Sequence, residues 1–219
     1  MARLAAGMAA FGGATALSAQ PAEVPLRGPW TPTRHPQDDW FDQIPGRHRF
    51  FFDTTSASGV GEGITFASNF FSASKVGYGL EDADNAVVIG LRHFATPFAF
   101  SDAMWAKYGA AMAERIKFTD PKTNASPVIN VYLTTGYGTQ LPNRETTIAA
   151  MVQRGTHFAV CDMATRAFAG LAAVRLQLKT NDVYEELKFS VIPNAHFVSA
   201  GIVAVNRAQE RGYAIQHIG

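Results

Sequence analysis

Cysteine is almost absent from the chain, with Cys161 alone among 219 residues. A single thiol excludes an internal disulfide framework and any zinc site built on several thiolates. Charge of one sign is also missing in excess, since 19 Lys and Arg stand against 18 Asp and Glu for a net charge of +1. That balance draws the chain neither to a phosphate backbone nor to an anionic membrane, so nucleic acid is not an expected partner. No Gly-x-Ser-x-Gly elbow for serine hydrolysis is present, and no repeat of constant period runs through the chain. His35, His48, His157, His196 and His217 lack the i, i+4 spacing or acidic companions of a metal site. They read as surface or core residues, and neither a metal nor a cofactor is expected. What is present is 47% hydrophobic, 11% aromatic and 17% charged residues, the composition of a globular domain with a substantial core.

The first 19 residues carry one charge, Arg3, and an Ala/Gly/Met/Phe/Leu stretch from Leu4 to Leu17 that closes on Ala16-Leu17-Ser18-Ala19. This predicts a secretory signal cut after Ser18 or Ala19, and hence an exported, periplasmic protein. The stretch is shorter and less apolar than the roughly 20 residues of a spanning helix, so no membrane span is expected after cleavage. It suits a twin-arginine signal, although no Arg-Arg pair is present. Residues 20–46 form a proline-rich arm with Pro21, Pro25, Pro29, Pro32, Pro36 and Pro45, which predicts extended or looped chain. Trp30, Trp40 and Phe41 imply that the arm lies on an apolar surface, either of its own domain or of a neighbouring subunit.

From residue 47 onward, strands alternate with helices. Arg49–Asp53 reads as a buried strand, Glu62–Val76 as a helix, and Ala86–Leu91 as a central strand covered on both faces. Ser101 caps a helix through Met112, residues 121–127 form a polar loop, and Val128–Leu133 is either a short strand or the base of a loop. Asn143 caps a helix bearing Ile148, Met151 and Val152, Gly155 closes it in a left-handed turn, and a strand runs from Thr156 to Val160. Ser190–Ile192 reads as a further strand, Pro193-Asn194 opens a helix with Val198, Ile202 and Val205 on one face, and Gly212 stops it before a last strand, Tyr213–Ile218. The expected architecture is one open three-layer α/β domain, with about five mostly parallel strands and helices on both faces.

In such sheets ligands bind beyond the carboxyl ends of the strands. The residues there are Asp53, Thr54 and Thr55; Arg92 and His93; Cys161 and Asp162; Pro193 and Asn194. Cys161 stands where the strand Phe158-Ala159-Val160 gives way to an amphipathic segment, Ala164–Leu178, which places its thiol at a helix N-terminus. Free backbone N–H groups there favour the thiolate, Arg92 or His93 nearby acts in the same sense, and Asp162 opposes it if it caps the helix. On composition alone, a lone cysteine is most often a small buried hydrophobe. The glycines of Gly59-Val60-Gly61-Glu62-Gly63 read as a turn or, less readily, as an anion cradle for a nucleotide; the third glycine of the dinucleotide fingerprint is missing.

Two stretches resemble the DsrE/DsrF-like family of sulfur-relay proteins. One is Ile148–Cys161, where helix, Gly155 and strand lead to a cysteine. The other is Val191–Ile215, with Ile192-Pro193 before a helix and Glu210-Arg211-Gly212-Tyr213-Ala214 before the last strand. The resemblance implies a persulfide on Cys161 passed to a partner thiol and assembly into trimers or hexamers; in such a carrier Arg92 and His93, at the same sheet edge, are expected to stabilise the anion. It departs at Asp162-Met163, where the family often has Gly or Asn, and in the long aromatic stretch Leu91–Leu141. The competing expectation is a non-catalytic ligand-binding or assembly module whose aromatic residues between His93 and Tyr108 line a pocket.

Overall fold

In the computed structural model, which describes residues 31–219, the order of elements is α1 (Trp40–Gln43), β1 (His48–Thr54), α2 (Ala57–Tyr78), β2 (Asn85–Leu91), α3 (Asp102–Ile116), α4 (Ile148–Gln153), β3 (His157–Cys161), α5 (Asp162–Leu176), α6 (Thr180–Phe189), β4 (Ala195–Val198), α7 (Gly201–Gln209) and β5 (Ala214–Ile218). The expected signal peptide and the first part of the arm lie outside the described residues. The five strands form one sheet in the order β4-β3-β2-β1-β5, and every neighbouring pair is parallel. Each parallel pair needs a crossover, which the intervening helices supply. β2 is buried at every residue because both of its faces are covered.

Two apolar layers enclose the sheet. Alternation sends Phe52, Val87, Ile89, Leu91, Phe158 and Val160 into the larger one, with residues of α2 to α6. It sends Phe51, Ala86, Val88 and Ala159 into the smaller one, with Phe41 on α1 and Ala204 and Ala208 on α7. From β1 to β4 the chain steps in one direction, and α7 then returns it so that β5 lies beyond β1. The switch point, where strand order reverses, is therefore the β1/β5 boundary.

Several expectations are corrected. Helix α2 starts at Ala57, so Gly59, Gly61 and Gly63 lie inside its first turns and form neither a turn nor a nucleotide cradle. A Cβ at Gly63 would come within 2.7 Å of Thr54 Cγ2, and one at Gly61 within 2.9 Å of the Tyr132 ring. The glycines let a helix approach its neighbours closely. Ser190–Ile192 contributes one isolated bridge, Val191 to Phe100, and the fourth strand is Ala195–Val198. Residues 198, 202 and 205 share a helical spacing, but Val198 closes a strand and the helix begins at Gly201. A four-residue edge strand is too short to show an alternation that overrides that spacing.

Thr147, not Asn143, caps α4: its Oγ1 accepts from the Ala150 N–H at 3.1 Å. Asn143 instead donates from Nδ2 to the Thr146 carbonyl at 2.8 Å. Gly155 is left-handed, with φ of 86°. Val128–Leu133 is a loop, pinned by the buried Asn130, whose Nδ2 donates to the carbonyls of Phe98 at 2.8 Å and Phe100 at 2.9 Å. In the arm, the prolines do not prevent all helix, since a 3-10 turn (Pro36–Asp38) and α1 lie between Pro32 and Pro45. Pro36 stands at the first position of its turn, where a missing N–H is harmless. Trp40 and Phe41 pack in the layer between α7 and the sheet of their own domain.

Candidate functional site

The thiol's place follows from register. Leu91 of β2 pairs with Val160 of β3, so Arg92 and Cys161 follow that pair at adjacent strand ends. Cys161 also closes the pairing of β3 with β4, opposite Val198. Its Sγ accepts from the Ala164 N–H at 3.4 Å, and its carbonyl accepts from Thr165 Oγ1 at 2.9 Å. The cysteine itself thus caps the 15-residue α5 and occupies the positive end of that helix. It is 7% exposed.

Asp162 opens α5 but turns away from the sulfur. Tyr184 Oη donates to its Oδ1 at 2.5 Å, and Arg166 Nε donates to its Oδ2 at 2.8 Å. Burial, with the Asp162 carboxylate adding to it, pushes the Tyr184 phenol up to about 12. The carboxylate is therefore committed to joining α5 and α6. His93 is also diverted: its backbone is left-handed, with φ of 55°, and its ring stacks on Phe94 at 3.9 Å between centroids. With Phe94, Arg115, Ala164, Phe168 and Leu171 it lines a cavity of about 110 Å³. Among the described residues the Ala164 N–H is the polar partner of the sulfur, and neither His93 nor Arg92 bonds to it.

Arg92 is bound to a group that pattern reasoning placed at the edge without a partner. Its Nε donates to Asp53 Oδ1 at 2.7 Å and its Nη2 to Asp53 Oδ2 at 2.8 Å, while His217 Nδ1 donates to the same Oδ2 at 2.9 Å. Asp53 follows Phe52, which faces the larger core, so its carboxylate lies on the α7 side, and β1–β5 register sets His217 directly opposite. The hydrogen bond to Asp53, against burial, raises Arg92 above its ordinary pKa, with Asp53 and Cys161 adding smaller charge effects. Arg92 lies across the start of α7, where only glycine fits: a Cβ on Gly201 would sit 2.3 Å from Arg92 Cβ. The structure thus brings together Arg92, Asp53 and His217, sets Arg92 at the strand end next to that of Cys161, and leaves His93 and Asp162 otherwise engaged. Sequence reasoning missed His217 because its partner Asp53 is 164 residues away. The only signal was that both stand near the ends of strands.

A second pair, also unseen in the sequence, lies on the same side of the sheet. His157 Nδ1 and His196 Nε2 share a hydrogen bond of 2.8 Å, and the Trp40 ring stacks on His196 at 4.1 Å. Burial lowers both imidazoles; His196, with His157 beside it, falls to about 4. Among the described residues no cluster of three or more His, Cys, Asp or Glu is suited to a metal. Phe98, Phe100, Trp105 and Tyr108 do not line the expected pocket but belong to the core, where Phe98 meets Trp105 at 5.2 Å and Tyr132 at 5.0 Å. No described helix is long and apolar enough to cross a membrane. No family model, curated protein or solved structure matches the chain.

Proposed function

We propose that this chain is an exported carrier of sulfane sulfur, similar in mode to the DsrE/DsrF-like proteins, with Cys161 as the carrying atom. The single observation that supports the reading is the thiol's position as the N-cap of α5, beside Arg92, at the carboxyl edge of a parallel sheet. The thiolate attacks the outer sulfur of a donor persulfide, forming a Cys161 S–S bond while the donor's S–S bond breaks and its electron pair leaves on the donor thiolate. An acceptor thiolate then attacks the outer sulfur of the Cys161 persulfide and regenerates the Cys161 thiolate. No external oxidant or reductant enters. The Ala164 N–H donates to the sulfur, and the Arg92 guanidinium at the adjacent strand end adds a favourable charge to the anion that persists through both steps.

Incubation of the mature protein with inorganic polysulfide, followed by intact-mass measurement, tests this. The expected result is a gain of sulfur on Cys161 that is removed by a thiol acceptor and is absent in Cys161→Ser. Equal gain in that variant sinks the reading. A second reading, a binding or assembly module without chemistry, draws on the near-complete burial of the thiol and on Leu171, Val174 and Leu178, which stand exposed along or just beyond α5. Complete protection of native Cys161 from a thiol reagent favours it.

A further inference from the structure

The slot of about 110 Å³ walled by His93 and Phe94 adjoins a groove of about 830 Å³ between α3 and α5, since Arg115, Ala167 and Leu171 line both. Where it is narrow its walls are apolar, with Ala164 and Phe168 beside Phe94 and Leu171. The spacing of Ala167, Gly170, Leu171 and Val174 lays the α5 side of the groove along one helical stripe. Leu171 is 42% exposed and Val174 82%, and a Cβ added at Gly170 meets nothing within 4 Å, so no other element covers the stripe. The unpaired charge around it is of one sign. Glu114, the acid that lines the groove among the described residues, is bound to Arg175. Arg115 lies over the Phe94 ring at 5.3 Å, and among the described residues neither Arg115 nor Lys117 has a carboxylate partner. The carbonyl end of α3, where both stand, offsets about half of one charge and leaves the rest.

We propose that this groove is a binding site for a fatty carboxylate, with the alkyl chain in the slot and the head group at Arg115 and Lys117. Apolar walls that end at unpaired cations match an amphipathic anion, and a guanidinium can hold a carboxylate through two parallel N–H···O bonds. The same walls give an uncharged head group no such partner. A second copy of the chain is a poorer occupant, because a two-fold interface brings the same patch from both copies together and would set these cations against one another. Cys161 lines neither the slot nor the groove, so the inference stands apart from the carrier reading.

The test is calorimetric titration of the full chain with hexanoate, octanoate and octan-1-ol, repeated on Arg115→Gln and Ala167→Phe. Both substitutions fall at exposed positions, and circular dichroism checks that each variant keeps the fold. Octanoate is expected to bind saturably, and each methylene added from hexanoate onward should tighten binding about threefold. Octan-1-ol should bind the wild type about threefold to tenfold more weakly than octanoate, and Arg115→Gln should weaken octanoate by a similar factor without changing the alcohol. Ala167→Phe, which places a ring where slot and groove meet, should weaken both ligands. Equal affinity for acid and alcohol overturns the inference, as does octanoate binding that neither variant alters or the lack of saturation by about 10 mM. Sedimentation of the same samples covers the other occupants: a dimer that octanoate does not dissociate and that Ala167→Phe breaks assigns the groove to a second copy and overturns the proposal.

Discussion

Asp53 carries the tightest electrostatic arrangement at the sheet edge, a buried carboxylate with a bidentate guanidinium and an imidazole on one side. Removing one member leaves the others desolvated without compensation, which costs more than the net value of the pair. Asp53→Asn and Arg92→Gln are each expected to destabilise the fold by about 2 kcal/mol, a value kept modest because Arg92 still reaches solvent. The double variant should lose clearly less than the sum of the two, as a double-mutant cycle in urea would measure. Additive losses would mean that the pair is not coupled.

The His157–His196 pair gives a pH dependence of determinate sign. Both imidazoles have pKa values lowered from the ordinary 6.5, His196 to about 4, so the folded chain holds them neutral where the unfolded chain takes up protons. Their contribution is fully present above the unfolded value and is lost as pH falls toward the folded one. The urea midpoint should therefore drop between pH 6.5 and about 4 in the wild type. His196→Asn should flatten part of that slope, by roughly 1 kcal/mol once screening by solvent around the half-buried pair is allowed for. An unchanged slope would show that the pair does not set it.

At the scale of elements, α2 separates two uses of glycine within one helix. Gly63 lies where a Cβ would meet Thr54 Cγ2 at 2.7 Å, whereas a Cβ on Gly77 meets nothing within 4 Å. Gly63→Ala should cost about 1–3 kcal/mol by pushing the helix from the sheet. Gly77→Ala should gain about 0.5–1 kcal/mol by restricting the unfolded chain. Opposite shifts in melting temperature are the expected outcome, and a shared sign would contradict this account of the packing. Helix type and position were legible here from periodicity, but the start of α2 was not. Its first turns are glycine-rich, a composition that signals a turn until the sheet beneath is known. The same limit applies to β4, whose four residues are too few to assert their own period.

For the whole molecule, the smaller apolar layer decides where the stable unit begins. The compact unit runs from Arg34 to Gly219, and Phe41 within it is fully buried against Phe51 and Tyr213. A chain beginning at Arg34 should keep the denaturant midpoint of the longer chain. One beginning after Gln43 loses Trp40 and Phe41 and should fall by about 3–5 kcal/mol, the cost of emptying a large aromatic site. Equal stability of the two truncations would show that α1 adds nothing to the layer.

The sequence by itself determined the α/β class, the parallel sheet and the place of Cys161 at a strand-to-helix turn, because buried β-branched runs and a 3.6-residue period are local signals. The tertiary structure alone decided what surrounds the thiol. Asp53 and His217 meet only through the β1–β5 pairing, Asp162 turns to Tyr184 on another helix, and His157 finds His196 on the neighbouring strand. Strand order depends on how a whole chain covers both faces of a sheet, and no window of neighbouring residues contains that information.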